Sequence, residues 1–343
     1  MSAHTSNNED EESCLAAIAV AGCGPGARRE FTALMQSGMR GSELRRHLTP
    51  SRWQAARAVF NECCERSIDV VPISSRRYPQ LLQHIPNPPP LLYVRSKWPN
   101  WRLPERALAV VGTRAASVEV CCRASEIALD IASAGFTVVS GLALGVDGAA
   151  HRGALGASPV AGTAEGHSRT VAVLAHGLDR TYPPSHAPLA EEIVCGGGAV
   201  VSEYPPGQEA MKHHFLERNR IIAGMSLGVV VVQAGARSGS LVTARFAADY
   251  GRDVFIFENG ACDTDHAGGR QMLEDGALSC SCAADILREY QGIDEPAKGR
   301  EPSPEISVDQ YLTQQGITFA ELVQREFSGL IERLPGNRIR VRR

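Results

Sequence analysis

The sequence predicts an α/β protein built on a Rossmann-like, doubly wound and mostly parallel sheet. From about residue 106 onward, apolar strand-like runs alternate with helix-like segments, which is the pattern of βαβ units. The runs are apolar on both faces, so we expect helices on both sides of the sheet. They cover residues 107–112, 137–140, 170–174, 199–202, 228–233 and 253–257. In such sheets ligands bind beyond the carboxyl ends of the strands.

Three segments precede the alternating pattern. Residues 1–12 are polar and acidic, which predicts a disordered tail. Residues 13–75 contain short helix-like runs, including an amphipathic run at 53–64, and predict a small helical, SAM-like domain. The prolines of residues 78–94 exclude a long helix and predict a connector that ends in a short strand at 91–94. We therefore place the Rossmann-like domain at residues 76–292.

The chain becomes polar and proline-bearing after the last apolar run. Residues 293–304 predict a linker, and a short terminal segment, residues 305–343, follows it. That segment closes with a strongly basic run at residues 338–343.

Composition limits the class of protein without deciding its partner. The net charge is −3, which does not indicate a nucleic-acid binder but permits a local basic surface. Ten cysteines without any Cys-x-x-Cys pair indicate free thiols in a reducing cytoplasm. Cys280 and Cys282 resemble half a metal site, but no His or Cys partner follows closely, so we predict no metal. No signal peptide or apolar run of transmembrane length is evident, so we expect a cytoplasmic protein with no membrane partner.

The loop after the first predicted strand has residues suited to a phosphate. Gly112 allows a ligand to approach the backbone, and the guanidinium of Arg114, beyond Thr113, matches phosphate geometry. Ser117 can cap the next helix, whose amino end favours anions. An ordinary strand-to-helix turn is the alternative, because the segment lacks the Gly-x-Gly-x-x-Gly fingerprint.

Two further loops share this character. Gly141 precedes a helix near Asp147, and His151 follows Asp147 by one helical turn. This spacing fits a local capping contact and, alternatively, a metal or acid–base pair. The loop after the fifth strand predicts an anion-binding helix start or an ordinary capped helix. Its backbone amides and hydroxyls come from Ser238, Gly239 and Ser240.

A donor-rich segment lies between two of the buried apolar runs. Arg218, Asn219 and Arg220 supply hydrogen-bond donors at the mouth of the predicted sheet, and Lys212 and Phe215 precede them. Lysine and arginine can meet phosphates, and a phenylalanine ring can stack on a base of a single strand. Core packing of Phe215 and an internal salt bridge for one arginine are the alternatives.

Catalytic patterns are missing from the sequence. Ser140, Ser202 and Ser238 have no nucleophile-elbow context, and the loops hold too few carboxylates to bind a metal for phosphodiester cleavage. We therefore predict phosphate binding without catalysis and without a cofactor.

The ordered motifs resemble the DNA-processing protein A family, also called Smf. They run in order over roughly residues 78–244, and weaker similarity continues to about residue 286. The matching segments are residues 78–79, 88–93, 111–114 with 117, 140–143, 145–147, 150–151, 177–179, 182–183, 202–205, 215–226 and 238–244.

The resemblance implies a Rossmann-like domain that binds single-stranded DNA. It also implies a homodimer that helps to load the RecA recombinase on DNA during natural transformation, or competence, and recombination. The DNA-contacting positions carried over are Gly112, Arg114, Lys212, Phe215 and Arg218, with the loop at residues 238–240 nearby. The family often ends in a winged-helix domain. Here residues 327–343 resemble only its last helix and wing, so we expect a truncated winged-helix-like segment at residues 305–343.

Two rival functions use the same fold. One is a nucleotide-hydrolysing enzyme similar to phosphoribohydrolases, and the other is a non-catalytic nucleotide sensor. The hydrolases carry a glutamate in a Pro-Gly-Gly-x-Gly-Thr-x-x-Glu loop after a central strand, and residues 235–243 have no such glutamate.

Overall fold

The computed structural model describes residues 2–97, 104–158, 169–258, 266–291, 306–307, 331–334 and 338–341. The chain divides into two compact units, Met1–Glu289 and Tyr290–Arg343. The helical region near the amino end thus belongs to the same compact unit as the sheet. None of the helices in these ranges is both long and apolar enough to cross a membrane.

The first unit begins with helices where the sequence predicted a disordered tail. The helix α1 already covers that stretch, and its acidic residues pair with arginines of later elements. Glu11 lies 2.8 Å from Arg57, and Glu12 lies 3.7 Å from Arg45. The acidic residues that suggested a disordered tail therefore form ion pairs with other helices of this unit. The elements are α1 (Ser2–Ala21), α2 (Pro25–Gln36), α3 (Gly41–Leu44), a 3-10 turn (Arg45–His47) and α4 (Pro50–Glu65).

A nine-stranded sheet forms the centre of this unit, and the predicted α/β class with a mostly parallel sheet is confirmed. Each of the six apolar runs contains a strand, and so does the connector. The strands are β1 (Asp69–Pro72), β2 (Leu91–Arg95), β3 (Ala107–Val111), β4 (Thr137–Ser140), β5 (Thr170–Leu174), β6 (Ala199–Ser202), β7 (Gly228–Val231), β8 (Asp253–Phe257) and β9 (Leu278–Cys280).

Two strands of the sheet were not predicted. β1 pairs with β2, so the sheet begins upstream of the domain boundary that we placed at residue 76. β9 is a three-residue edge strand with two exposed positions. β1 has Asp69 and Pro72 at its ends, so neither strand is a continuous buried apolar run.

Helices connect the strands. Strands β3 to β9 run parallel, whereas β1 and β2 pair antiparallel. The connecting helices are α5 (Gln80–Gln83), α6 (Val118–Ser133), α7 (Val146–Leu155), α8 (Ala187–Cys195), α9 (Lys212–Gly224), α10 (Ser240–Asp249), α11 (Ala267–Glu274) and α12 (Ala283–Arg288).

The strand order determines where a ligand can bind. It is β1-β2-β6-β5-β4-β3-β7-β8-β9, so the chain winds one way from β3 and the other way from β7. β3 and β7 are neighbours, and the connections that follow them leave in opposite directions. This is a topological switch point, where a crevice opens at the carboxyl ends of the strands.

The second unit contains a three-stranded antiparallel sheet in order β10-β12-β11. Its strands are β10 (Ile306–Ser307), β11 (Ile331–Leu334) and β12 (Arg338–Val341). The β11–β12 pair lies where a wing was predicted. The linker predicted at 293–304 and the helix that would precede the wing lie outside the described residues.

Candidate nucleic-acid interface

A pocket of about 360 Å³ opens at the switch point between β3 and β7. It joins the loops after these two strands with the loop after β4 and one face of α9. Eight of the thirteen residues predicted for DNA binding line it. The lining residues are Val111, Gly112, Arg114, Ala143, Asp147, Phe215, Leu216, Arg218, Asn219, Ile222, Ser238, Gly239, Ser240 and Thr243.

Close packing of two loops explains why positions 112 and 145 are both glycines. A Cβ atom on Gly112 would lie 2.6 Å from Cγ2 of Val146 at the start of α7. Gly145 has φ +74°, and a Cβ there would lie 2.4 Å from the carbonyl oxygen of Thr113. The loops after β3 and β4 therefore touch backbone to backbone, and they form one continuous wall of the pocket.

Arg114 is the exposed cation at the pocket mouth. Its Cζ atom lies 5.1 Å from the ring centroid of Phe215, over the ring face. Ser117 caps α6 as predicted, because its Oγ accepts a hydrogen bond from the Val120 backbone amide at 3.2 Å. Ser117 and Thr113 do not line the pocket.

Asp147 neither caps α7 nor pairs with His151; the residue at the cap position is Gly145, which has no side-chain cap. Oδ2 of Asp147 accepts hydrogen bonds from the backbone amides of Gly141 at 3.2 Å and Ala143 at 3.3 Å. Burial raises the pKa of Asp147, although the nearby Arg218 guanidinium opposes that shift. His151 pairs elsewhere: its Nδ1 lies 2.7 Å from Oγ1 of Thr170. Asp147 therefore orders the loop after β4.

Arg218 is a buried guanidinium at the base of the pocket. Its residue is 4% exposed, and Nη1 donates to the carbonyl oxygens of Gly141 at 2.7 Å and Val173 at 2.5 Å. Burial lowers the pKa of Arg218 to about 10, while the charge of Asp147 raises it. A Cβ atom on Gly141 would lie 2.0 Å from Nη1, so Gly141 makes room for this side chain.

The other two donors of α9 have different surroundings. Arg220 pairs with Glu203, and the two side chains are only 16% and 10% exposed. Arg220 does not line the pocket, so the salt-bridge alternative holds for this arginine. Burial raises the pKa of Glu203, and the charge of Arg220 opposes that rise. Asn219 lines the pocket, and its Nδ2 donates to the carbonyl oxygen of Gly239 at 3.1 Å.

The start of α10 forms a further part of the pocket wall. The hydroxyls of Ser238 and Ser240 lie 2.7 Å apart, and Gly239 between them is exposed. Ser240 is the first residue of this ten-residue helix. Ser238 Oγ also accepts a hydrogen bond from the Ser240 backbone amide at 3.4 Å. The amino end of a helix favours an anion.

Two aromatic rings border the pocket mouth. Phe215 is half-buried, and its ring centroid lies 5.7 Å from that of Tyr182. Lys212, the first residue of α9, is exposed but does not line the pocket. The sequence analysis included Tyr182 in a motif that matches the family but gave it no role in binding. The available signal was an aromatic residue before a proline in the loop after the third predicted strand.

A metal centre has no support in the described part of the chain. No group of three or more His, Cys, Asp or Glu side chains there is placed to hold an ion. The nine cysteines in this part are all free thiols.

The fold and the pocket define a Rossmann-like protein with a crevice at its topological switch point that is lined by two arginines and two serines. The chain belongs to the DNA recombination-mediator protein A family, whose model matches residues 69–291. Members of this family are DNA-processing and DNA-binding proteins.

Individual relatives agree with this assignment. Protein Smf of Escherichia coli is 34% identical over 301 residues, which cover 80% of this chain and 78% of the relative. DNA processing protein DprA of Bacillus subtilis is 34% identical over 66% of this chain and 72% of its own length. Protein Smf of Synechocystis is 36% identical over 60% of this chain, which spans only 52% of that relative.

Solved structures show the same fold. DNA processing protein A from Streptococcus pneumoniae superposes with a TM-score of 0.57 at 30% identity, over 76% of this chain and 86% of that one. DNA processing protein A from Helicobacter pylori, for which a single-stranded DNA binding mode is described, superposes with a TM-score of 0.56 at 24% identity. The latter match covers 66% of this chain and 97% of that one.

Proposed function

We propose that this chain binds single-stranded DNA on the carboxyl edge of its parallel sheet. The observation that carries the proposal is the switch-point pocket, which combines an exposed arginine, a half-buried phenylalanine and a helix start. A cation and a helix amino end suit phosphates, and an aromatic ring suits an unpaired base. The family assignment and the binding mode described for the Helicobacter pylori protein support the same ligand.

The pocket does not favour a hydrolytic reaction. Its buried carboxylate, Asp147, accepts two backbone hydrogen bonds through Oδ2 and is held in the loop after β4. His151, the nearest candidate base by spacing, is bonded to Thr170. Burial lowers the pKa of His151 to about 3, so the ring would be a weak general base near pH 7. A binding role without catalysis therefore fits the pocket better than the phosphoribohydrolase-like alternative.

The test is a binding titration with labelled oligodeoxythymidine over a range of salt concentrations. We expect Arg114→Ala and Lys212→Ala to weaken binding, because the first removes an exposed cation of the pocket lining and the second an exposed cation on α9, three residues before Phe215. Each lost phosphate contact flattens the log–log salt dependence by roughly 0.7. Arg123→Ala is the matched control, since Arg123 is an exposed arginine of α6 that pairs with Glu126 at 3.1 Å.

Two outcomes would contradict the proposal. Unchanged affinity in both variants, with wild-type melting curves, would remove the pocket mouth as the DNA site. Hydrolysis of nucleoside monophosphates by the purified chain, without binding to oligodeoxythymidine, would favour the enzymatic alternative.

We further infer, from the family alone, that the chain acts as a cytoplasmic homodimer that helps RecA to assemble on single strands during natural transformation and recombination. Light scattering coupled to size exclusion tests the dimer. RecA filament formation on single-stranded DNA, with and without this chain, tests the loading role. A monomer with no effect on RecA would restrict the function to DNA binding.

A further inference from the structure

We propose that Tyr182 is a second base-stacking residue, which receives a base adjacent to the one held at Phe215. This inference rests on the proposed single-stranded DNA binding and extends it. It concerns the loop between β5 and α8, outside the pocket lining itself.

The exposure of Tyr182 is the first observation. The residue is 49% exposed, although its ring has an aromatic neighbour. Large apolar side chains this exposed are few in the described residues, and several lie on this edge of the sheet. Leu216 lines the pocket, and Leu144 lies next to the lining residue Ala143. Exposed apolar groups concentrated around one pocket mark a contact surface rather than scattered surface residues.

The arrangement of the rings is the second observation. The guanidinium of Arg114 lies over one face of Phe215, so that face is covered in the free protein. The Tyr182 ring is tilted by 58° from the Phe215 ring. Rings so inclined present their faces in different directions, and they cannot enclose one base between parallel planes. They suit two bases of an extended strand.

The loop that carries Tyr182 is fixed at both ends. Before it, Asp179 Oδ1 accepts a hydrogen bond from the Gly207 backbone amide at 2.8 Å. After it, His186 is buried, and its Nδ1 lies 2.9 Å from the carbonyl oxygen of Leu142 in the loop after β4. A ring held on a fixed loop loses little conformational entropy when a base stacks on it.

The experiment is an abasic scan. Affinities are measured for an oligodeoxythymidine in which one nucleotide at a time lacks its base, with wild type, Tyr182→Ala, Tyr182→Leu and Tyr182→Phe. For wild type we expect two abasic positions to weaken binding, each by about 5- to 150-fold. At one position the missing base is the one that stacks on Tyr182, and at the other it is the one that stacks on Phe215. Tyr182→Leu keeps apolar bulk but removes the aromatic face, so it separates stacking from packing.

Stacking by Tyr182 predicts a specific pattern in the variants. Tyr182→Ala and Tyr182→Leu bind the intact oligonucleotide 5- to 150-fold more weakly, with about the same salt slope, and lose sensitivity at one abasic position only. Tyr182→Phe binds as wild type does. Leu278→Ala, which truncates a 40% exposed apolar residue of the edge strand β9, is the control and binds unchanged.

Other results would overturn the inference separately from the function. If Tyr182→Ala and Tyr182→Leu keep wild-type affinity and abasic sensitivity while Arg114→Ala is weakened, DNA binding stands and the second stacking position is wrong. If the wild type does not bind oligodeoxythymidine, both proposals fail.

Discussion

Three arginines predicted for the same surface have three different environments. Arg114 is exposed at the pocket mouth, Arg218 is buried with two carbonyl partners, and Arg220 is paired with Glu203. Only Arg114 has a charge that reaches solvent freely. At the residue scale, burial therefore separates the two arginines that tie parts of the fold together from the one that is free to meet a ligand.

Phe215 provides a prediction at this scale. Phe215→Leu is expected to weaken oligodeoxythymidine binding by about 1–3 kcal/mol, because a base loses its aromatic partner, and to leave the salt slope unchanged. Titrations at several salt concentrations measure both quantities. Phe246→Leu is the control, since Phe246 is also half-buried and stacks on Tyr250, 5.8 Å away. A large fall in melting temperature for Phe215→Leu alone would identify the ring as a core residue.

His151 makes stability depend on pH. Burial lowers its pKa to about 3, so below its unfolded pKa of about 6.5 the unfolded chain takes up a proton that the folded chain does not. The contribution of the buried, neutral His151 ring to the free energy of unfolding is complete above pH 6.5 and is lost as the pH falls toward 3. We expect His151→Asn to reduce the slope of unfolding free energy against pH by up to about 1.4 kcal/mol per pH unit in that window.

Urea unfolding at several values between pH 5 and 7.5 tests this expectation. The exposed His47 offers the control variant His47→Asn. His176 is also buried and its pKa is lowered, so the slope in His151→Asn decreases without vanishing. An unchanged slope would show that His151 is accessible to protons in the folded chain.

At the element scale, α9 is joined to the ends of two strands by one side chain. Arg218 Nη1 binds the carbonyl of Gly141, directly after β4, and that of Val173, within β5. This tie positions Phe215 and Asn219, which lie on the same helix, at the pocket. The hydrogen bonds that hold α9 in place therefore also set the geometry of the site.

Arg218→Met is therefore expected to destabilise the fold. Two hydrogen bonds from a charged group are lost, at about 1.5–3 kcal/mol each, and two buried carbonyls lose a donor. Denaturant unfolding measures the change, with Arg123→Met as the exposed control. A variant with wild-type stability but impaired DNA binding would instead assign Arg218 to phosphate contact.

At the scale of the whole molecule, the division into two units predicts that the terminal segment is dispensable. A chain ending near Tyr290, where the first unit ends, is expected to fold and to bind single strands with a modest loss, mostly at low salt. The reason is that the basic residues at 338–343 add only a sequence-independent attraction. Circular dichroism and salt titrations of both chains provide the measurement. A folded, truncated chain without binding at physiological salt would place the DNA site in the terminal segment.

The sequence by itself determined the strands and the loops that follow them. Continuous apolar runs predicted β3 to β8, because a strand buried on both faces carries a local signal in its own residues. The loops of the pocket were predicted from the glycine, serine and arginine residues that follow these runs, which are also a local signal. The edge strands β1 and β9 left no such signal, since β1 has Asp69 and Pro72 at its ends and two of the three residues of β9 are exposed.

Tertiary structure alone decided the strand order and the environment of each donor. β3 and β7 become neighbours although more than a hundred residues separate them, and this pairing creates the pocket. The partners of Arg218 lie 77 and 45 residues away in the chain. Tyr182 meets Phe215 only after β5 and α9 have packed. Contacts between distant segments depend on how whole elements pack and become buried. A local pattern of apolar residues therefore cannot predict them.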